Sequence, residues 1–173
     1  MILGCDISTT ELTLCFLAEN AIAWERAALR RDRSQGKWTD ALGNVQAALS
    51  TALSDAPRPA EAYIERGWGA NRNADYQLGA IFGATYVALG KAVPGIHVEM
   101  MTTHQWKKIV TAKIGMTTKK GVPGLATATK DQANSACRIL LMDELFLDAE
   151  RVQRLSPDEL DAFGVAYAAT HGS

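Results

Sequence analysis

The chain has 173 residues, 47% of them hydrophobic, and a formal net charge of −1. That is length and apolar content for one domain with a sizeable core, assigned to residues 1–173 as a single unit. No apolar run approaches the roughly 20 residues of a membrane span, and a near-neutral balance gives no global sign of a polyanion partner.

The reading opens on "MILGCD" (1–6), a buried strand that starts at once, so no signal peptide is expected. "ELTLCFLAE" (11–19) sets Leu12, Leu14 and Phe16 between more polar neighbours and reads as a second strand. "NAIAWERA" (20–27) follows a turn residue and gives a third, completing an antiparallel meander. From 37 to 56, helical spacing joins Trp38, Leu42, Val45, Leu49 and Leu53, and the prolines of "APRPA" end the helix. "EAYIER" (61–66) is a short fourth strand closed by "GWGANRN". Asn73 or the residues just before it cap a small-residue helix reaching Ala92, and Pro94-Gly95 turns the chain into a fifth strand at 96–101.

A helix is expected from Thr103 to about Ala112, and another around 130–145. Between them, 115–124 is the best candidate for a mobile surface loop. A last helix spans 156–170. Three strands, helix, strand, helix, strand, helices make a mixed α/β domain around one five-stranded sheet. Cys5, Cys15 and Cys137 are odd in number and lack metal-like spacing, which suits free thiols in a reducing cytoplasm.

Charge is unevenly spread. No acid lies between Glu99 and Asp131, a stretch holding Lys107, Lys108, Lys113, Lys119, Lys120 and Lys130. The segment from Asp143 to Asp161 then holds seven acids against two arginines. A basic stripe beside an acidic cluster suits a polyanion held near metal ions; the plain reading is a solvated loop.

The last helix is the sharpest anomaly. Ser156 is a good N-cap, Pro157 suits the first helical position, and Ser156 with Glu159 has capping-box spacing. Capping does not account for Asp161, which lies past the first turn, where the helix dipole fades. Asp158 and Asp161 share one face of a helix that is otherwise apolar nearly all round, and so buried. Two neighbouring carboxylates there repel each other and are costly to desolvate; a bound cation relieves both costs. Asp6 and Glu65 close the first and fourth strands. If those strands are neighbours and the last helix crosses them, four carboxylates converge. All-oxygen ligands favour hard cations such as Mg²⁺ or Mn²⁺. Two of them about 3.5–4 Å apart support phosphodiester hydrolysis.

"MILGCDIS", "YIERGW", "NADYQLGA", "QWKKIV" and "DELDAFGVAYAATH", in this order and over nearly the whole chain, resemble the RuvC Holliday-junction resolvases of the ribonuclease H-like superfamily. The resemblance implies a metal-dependent endonuclease that resolves branched DNA by paired nicks, leaving 5′-phosphate ends. It further implies two Mg²⁺ ions per site (Mn²⁺ substituting), a homodimer and a cytoplasmic location in a bacterial or phage-infected cell. It places the catalytic, metal-binding acids on Asp6, Glu65, Asp158 and Asp161, a branch-point aromatic on Trp68, a catalytic lysine that neutralises charge on the scissile phosphate on Lys107, and a second functional lysine on Lys130. Lys108, Lys119 and Lys120 join these as DNA contacts, and Arg26, Arg30, Arg31, Arg33 and Lys37 are candidate phosphate contacts along the junction arms. "DISTT" after the first aspartate and the long segment 115–129 depart from the usual pattern and resemble phage-encoded members. The helix at 73–91 is rich enough in small residues to pack closely on a dimer mate, or on its own sheet.

Two rivals stand beside this. "GCDISTTELTL" also resembles the first phosphate loop of sugar-kinase and actin-like ATPases, which need two such domains and do not account for the aspartate pair. A non-catalytic DNA-binding domain of the same fold has no need of four acids.

Overall fold

Residues 1–19, 21–29, 41–54, 58–66 and 72–172 are described by a computed structural model of the chain. The elements run β1 (Ile2–Ile7), β2 (Glu11–Ala18), β3 (Ala21–Ala28), α1 (Ala41–Ser54), β4 (Glu61–Arg66), α2 (Arg72–Ala92), β5 (His97–Thr102), α3 (Thr103–Lys113), α4 (Lys130–Asp143), α5 (Ala149–Arg154) and α6 (Pro157–His171). The order read from the sequence holds, with one addition. α5 is six residues long, capped by the Asp148 side chain on Arg151 N, and too short to display a helical period. α2 begins at Arg72, so Asn73 is already helical and the cap falls to the residues just before it, which lie outside the described residues.

The five strands form one sheet in the order β3-β2-β1-β4-β5. β1–β2 and β2–β3 are antiparallel, as the meander required, while β1–β4 and β4–β5 are parallel. Side chains alternate between the two faces of a strand. Leu3, Cys5 and Ile7 therefore join Leu12, Leu14, Phe16, Ala62 and Ile64 in a core beneath α1 and α2. Gly4 and Asp6 point the other way, toward a second core built from α3, α4 and α6. With helices on both faces, β2 is buried from Leu12 to Leu17 and β1 over most of its length, and the alternation visible in the sequence of β2 does not mean a half-solvated strand.

α6 lies directly on β1. A Cβ added at Gly4 would stand 2.2 Å from the Ala162 carbonyl oxygen, so glycine is what lets the helix backbone come this close. α6 is buried from Leu160 to Ala168. At its start, Ser156 accepts from Glu159 N and the Glu159 carboxylate accepts from Ser156 N, so the capping box forms as read.

α2 packs one face, with Ile81, Ala84, Thr85, Ala88 and Leu89, against its own domain. Its opposite face is open: Tyr76 is 70% exposed, Val87 45%, and Cβ atoms added at Gly79, Gly83 or Gly90 would touch nothing within 4 Å.

The segment expected to be a mobile loop has backbone bonds of its own. Thr117 bridges Pro123, Thr118 N donates to the Val122 carbonyl at 2.9 Å, and Gly121 N closes the turn on the Thr118 carbonyl at 2.9 Å. Gly121 adopts φ +76°, a left-handed conformation that suits glycine in such a turn. The result is a small hairpin with Lys119 and Lys120 exposed at its tip. All three cysteines are free and buried. Among the described residues, no helix is long and apolar enough to cross a membrane.

Candidate active site

The parallel register pairs Cys5 with Ile64. One residue further along each strand stand Asp6 and Glu65, both on the face covered by α6. The crossing of α6 over Gly4 brings Asp161 down between them. One carboxylate oxygen from each of Asp6, Glu65 and Asp161 lies within 4.8 Å of the others. Glu65 is 6% exposed and Asp161 8%, while Asp6 is half-buried, so the triad is sunk into the protein but open at Asp6.

The fourth predicted acid stands slightly apart. Asp158, one helical turn before Asp161 and partly exposed, is outside the tight triad and is joined to it through Lys130. The Lys130 amine lies 3.3 Å from Asp158 Oδ1 and 3.0 Å from Asp161 Oδ2. Lys130 is the first residue of α4, held there by a capping box in which Thr129 Oγ1 accepts from Gln132 N.

Glu65 is hydrogen-bonded from α3. Thr103 Oγ1 donates to Glu65 Oε1 at 2.6 Å, and Trp106 Nε1 donates to the same oxygen at 3.0 Å. Neither residue was singled out in the sequence. The only available signal was an indole inside "QWKK", one turn after a good N-cap.

Electrostatics follow from burial and proximity. Desolvation, then the charges of Glu65, Asp161 and Asp158, raise the Asp6 carboxyl to about 8, with Lys130 opposing. Burial and Glu65 raise Asp161 to about 6, against the pull of Lys130. Asp161 Oδ1 is buried and has no hydrogen-bond partner among the described residues. A buried, unpartnered carboxylate oxygen beside two further carboxylates is costly unless something positive meets it. Oxygen donors alone, mutual repulsion and an orphaned oxygen together fit a hard divalent cation.

The basic residues divide. Lys107 directs its amine to the Ala128 carbonyl at 3.1 Å and lies over the Trp106 ring, 5.8 Å from its centroid. It tethers α3 to the segment leading into α4, whereas Lys130 is the lysine paired with the acids. Lys108, Lys119 and Lys120 are exposed. Arg26 pairs with Glu11 through two bonds, at 2.7 and 3.1 Å. Trp68, Arg30, Arg31, Arg33 and Lys37 lie outside the described residues.

The Ser8 hydroxyl in the "DISTT" turn accepts from Thr10 N at 3.2 Å and Glu11 N at 2.9 Å. It is engaged in closing the β1–β2 turn, which gives the phosphate-loop reading no support.

No family profile and no curated protein matches the sequence. Solved structures do. RuvC of Thermus thermophilus superposes with a TM-score of 0.64 at 22% identity, over 98% of this chain and 92% of that one. The same organism's RuvC in complex with a Holliday junction substrate gives 0.65 at 18% identity, over 98% and 91%. At such identities the likeness establishes the fold: the chain has the ribonuclease H-like mixed sheet flanked by helices, in the RuvC arrangement, over nearly its full length.

Proposed function

We propose that this chain is a metal-dependent, RuvC-type endonuclease that resolves four-way DNA junctions, and other branched DNA, by paired nicks. The observation that carries the reading is the convergence of Asp6, Glu65 and Asp161 on one point, with a buried, unpartnered oxygen on Asp161. Its support is the shared fold with a protein solved on a Holliday junction.

Asp6, Glu65 and Asp161 would hold divalent cations, with Asp158 completing the set for a second ion; Mg²⁺ fits this donor chemistry and Mn²⁺ substitutes. When bound, the cations supply activation of water and charge neutralisation at the leaving oxygen. The chain's own residues do the rest. Glu65 is oriented by its bonds from α3. Lys130, already paired with the aspartates, offers a positive charge to the scissile phosphate. Water attacks phosphorus, the bond to the 3′-oxygen breaks, and a 5′-phosphate end remains. Burial keeps bulk solvent from Glu65 and Asp161.

The junction is gripped outside the site. Lys107, Lys108 and the hairpin lysines Lys119 and Lys120 are assigned to its phosphates, and Trp68 to stacking at the branch point, where a base contact contributes about 1–3 kcal/mol. Two equivalent strands call for two active sites, which a twofold homodimer supplies. The open small-residue face of α2 is the surface assigned to that contact.

The test is a labelled synthetic junction incubated with Mg²⁺, with Mn²⁺ and with neither. Paired nicks are expected only with a cation. Asp6→Asn and Asp161→Asn should lose cleavage by about 10³-fold or more while still binding the junction. No cutting with either cation would sink the reading; loss of binding and fold together in both variants would make the acids structural.

A further inference from the structure

Two acids of the triad are carried by elements that cross one another, β4 and α6, and one residue touches both. Trp106 is fully buried. Its indole N–H donates to Glu65 Oε1 at 3.0 Å. Its ring lies against Gly164, three residues beyond Asp161; a Cβ there would stand 2.6 Å from the ring edge. The same indole therefore holds the acid of β4 through its N–H and sets the height of α6 through its six-membered ring.

Thr103 adds a second donor to the same oxygen, at 2.6 Å. Thr103 and Trp106 are three apart at the start of α3 and share a face. That turn is fixed by a capping box: Thr102 Oγ1 accepts from Gln105 N at 3.3 Å, and the Gln105 side chain accepts from Thr102 N at 2.8 Å. The terminal torsion of a glutamate is broad and intrinsically poorly fixed. Two donors converging on Oε1 hold the carboxylate in one rotation.

We infer that Thr103 and Trp106 are positioning residues for the cation site: together they lock the Glu65 carboxylate, and Trp106 also spaces α6 so that Asp161 meets it. This rests on the metal-dependent reading given above. Both act through the Glu65 carboxylate. Partners of a ligand in such a role typically change metal affinity by about 10–100-fold when lost.

The experiment is calorimetric titration of Mn²⁺ into the DNA-free protein, so that binding is read without catalysis. Wild type, Thr103→Val, Trp106→Phe and Thr103→Ser are compared, with thermal unfolding in chelator as the check on folding. Thr103→Val keeps the shape and removes the donor; Trp106→Phe keeps a ring against Gly164 and removes the N–H. Each should weaken Mn²⁺ binding by roughly 10–100-fold, and Thr103→Ser, which restores the hydroxyl, should return to within about threefold of wild type. If Trp106→Phe fails to fold, Thr103→Val decides alone. Folded variants whose isotherms overlay on wild type overturn the inference. A wild-type protein that takes up no Mn²⁺ overturns the metal reading beneath it, which is a different result.

Discussion

Lys130 Nζ stands 3.0 Å from Asp161 Oδ2, an ion pair between the first residue of α4 and the second turn of α6. On the proposed reading, the ammonium stands where a cation and a phosphate would both be met. Lys130→Met should therefore act in opposite directions on two measurements. Mn²⁺ binding to the free protein should tighten by a few fold, because a like charge has left the ligand oxygens. Junction cleavage at saturating metal should fall by roughly 10²-fold, because the phosphate has lost its cation. Cleavage equal to wild type would remove Lys130 from the chemistry.

Asp6 and Asp161 titrate upward in the folded protein, to about 8 and about 6. Burial presses both in that direction first, Glu65 and Asp158 add to it, and Lys130 opposes. A raised folded-state value means that the proton favours the fold. The stability it contributes is complete below the ordinary carboxylate range and is lost as pH rises through about 6 and then about 8. In chelator, Tm should fall between pH 5 and pH 9; a loss of about 1–2 kcal/mol lowers it by roughly 2–8 °C in a chain of this size. Saturating Mg²⁺ or Asp6→Asn should flatten the slope, and the variant should melt above wild type at pH 8. A metal-free Tm that is level across this window would contradict the crowding of charge described here.

Gly4→Ala tests the seating of α6. The new methyl would stand 2.2 Å from the Ala162 carbonyl and 2.7 Å from Ala166 N, both backbone atoms of the helix. The helix must lift or tilt, at a cost of about 1–3 kcal/mol or more. Denaturant unfolding should register the loss, and cleavage per folded molecule should also drop, since Asp161 precedes Ala162 and moves with it. Unchanged stability would mean that the helix is not pinned at this contact.

Lys119 and Lys120 project from the hairpin tip and are assigned to junction phosphates. Replacing both with Gln should weaken junction binding, and each lost phosphate contact should make the logarithmic salt slope shallower by about 0.9. The hairpin's backbone bonds do not involve these side chains, so the fold should be untouched. Binding measured across a salt series decides it, and an unaltered slope excludes the tip from the interface.

What the sequence determined by itself is local. Alternating and helical periods gave the element order, because a strand or helix must show its buried face in its own residues. Ser156 and Glu159 announced the start of α6, since a capping box closes within four residues. The acids Asp6 and Glu65 at strand ends, and Asp161 on an apolar helix, stood out because a charge in a buried element is anomalous wherever it points. The short α5 was invisible because six residues hold less than two turns.

Tertiary structure decided what those residues meet. Only the parallel pairing of β1 with β4 and the passage of α6 over Gly4 show that three acids form the tight group, with Asp158 linked through Lys130. Only packing separates Lys130, which reaches the aspartates, from Lys107, which binds a carbonyl. It also brings Trp106 under Gly164 and against Glu65. These are distances between segments far apart along the chain. They depend on how faces are stacked, and periodicity records only that a face is buried, not what buries it.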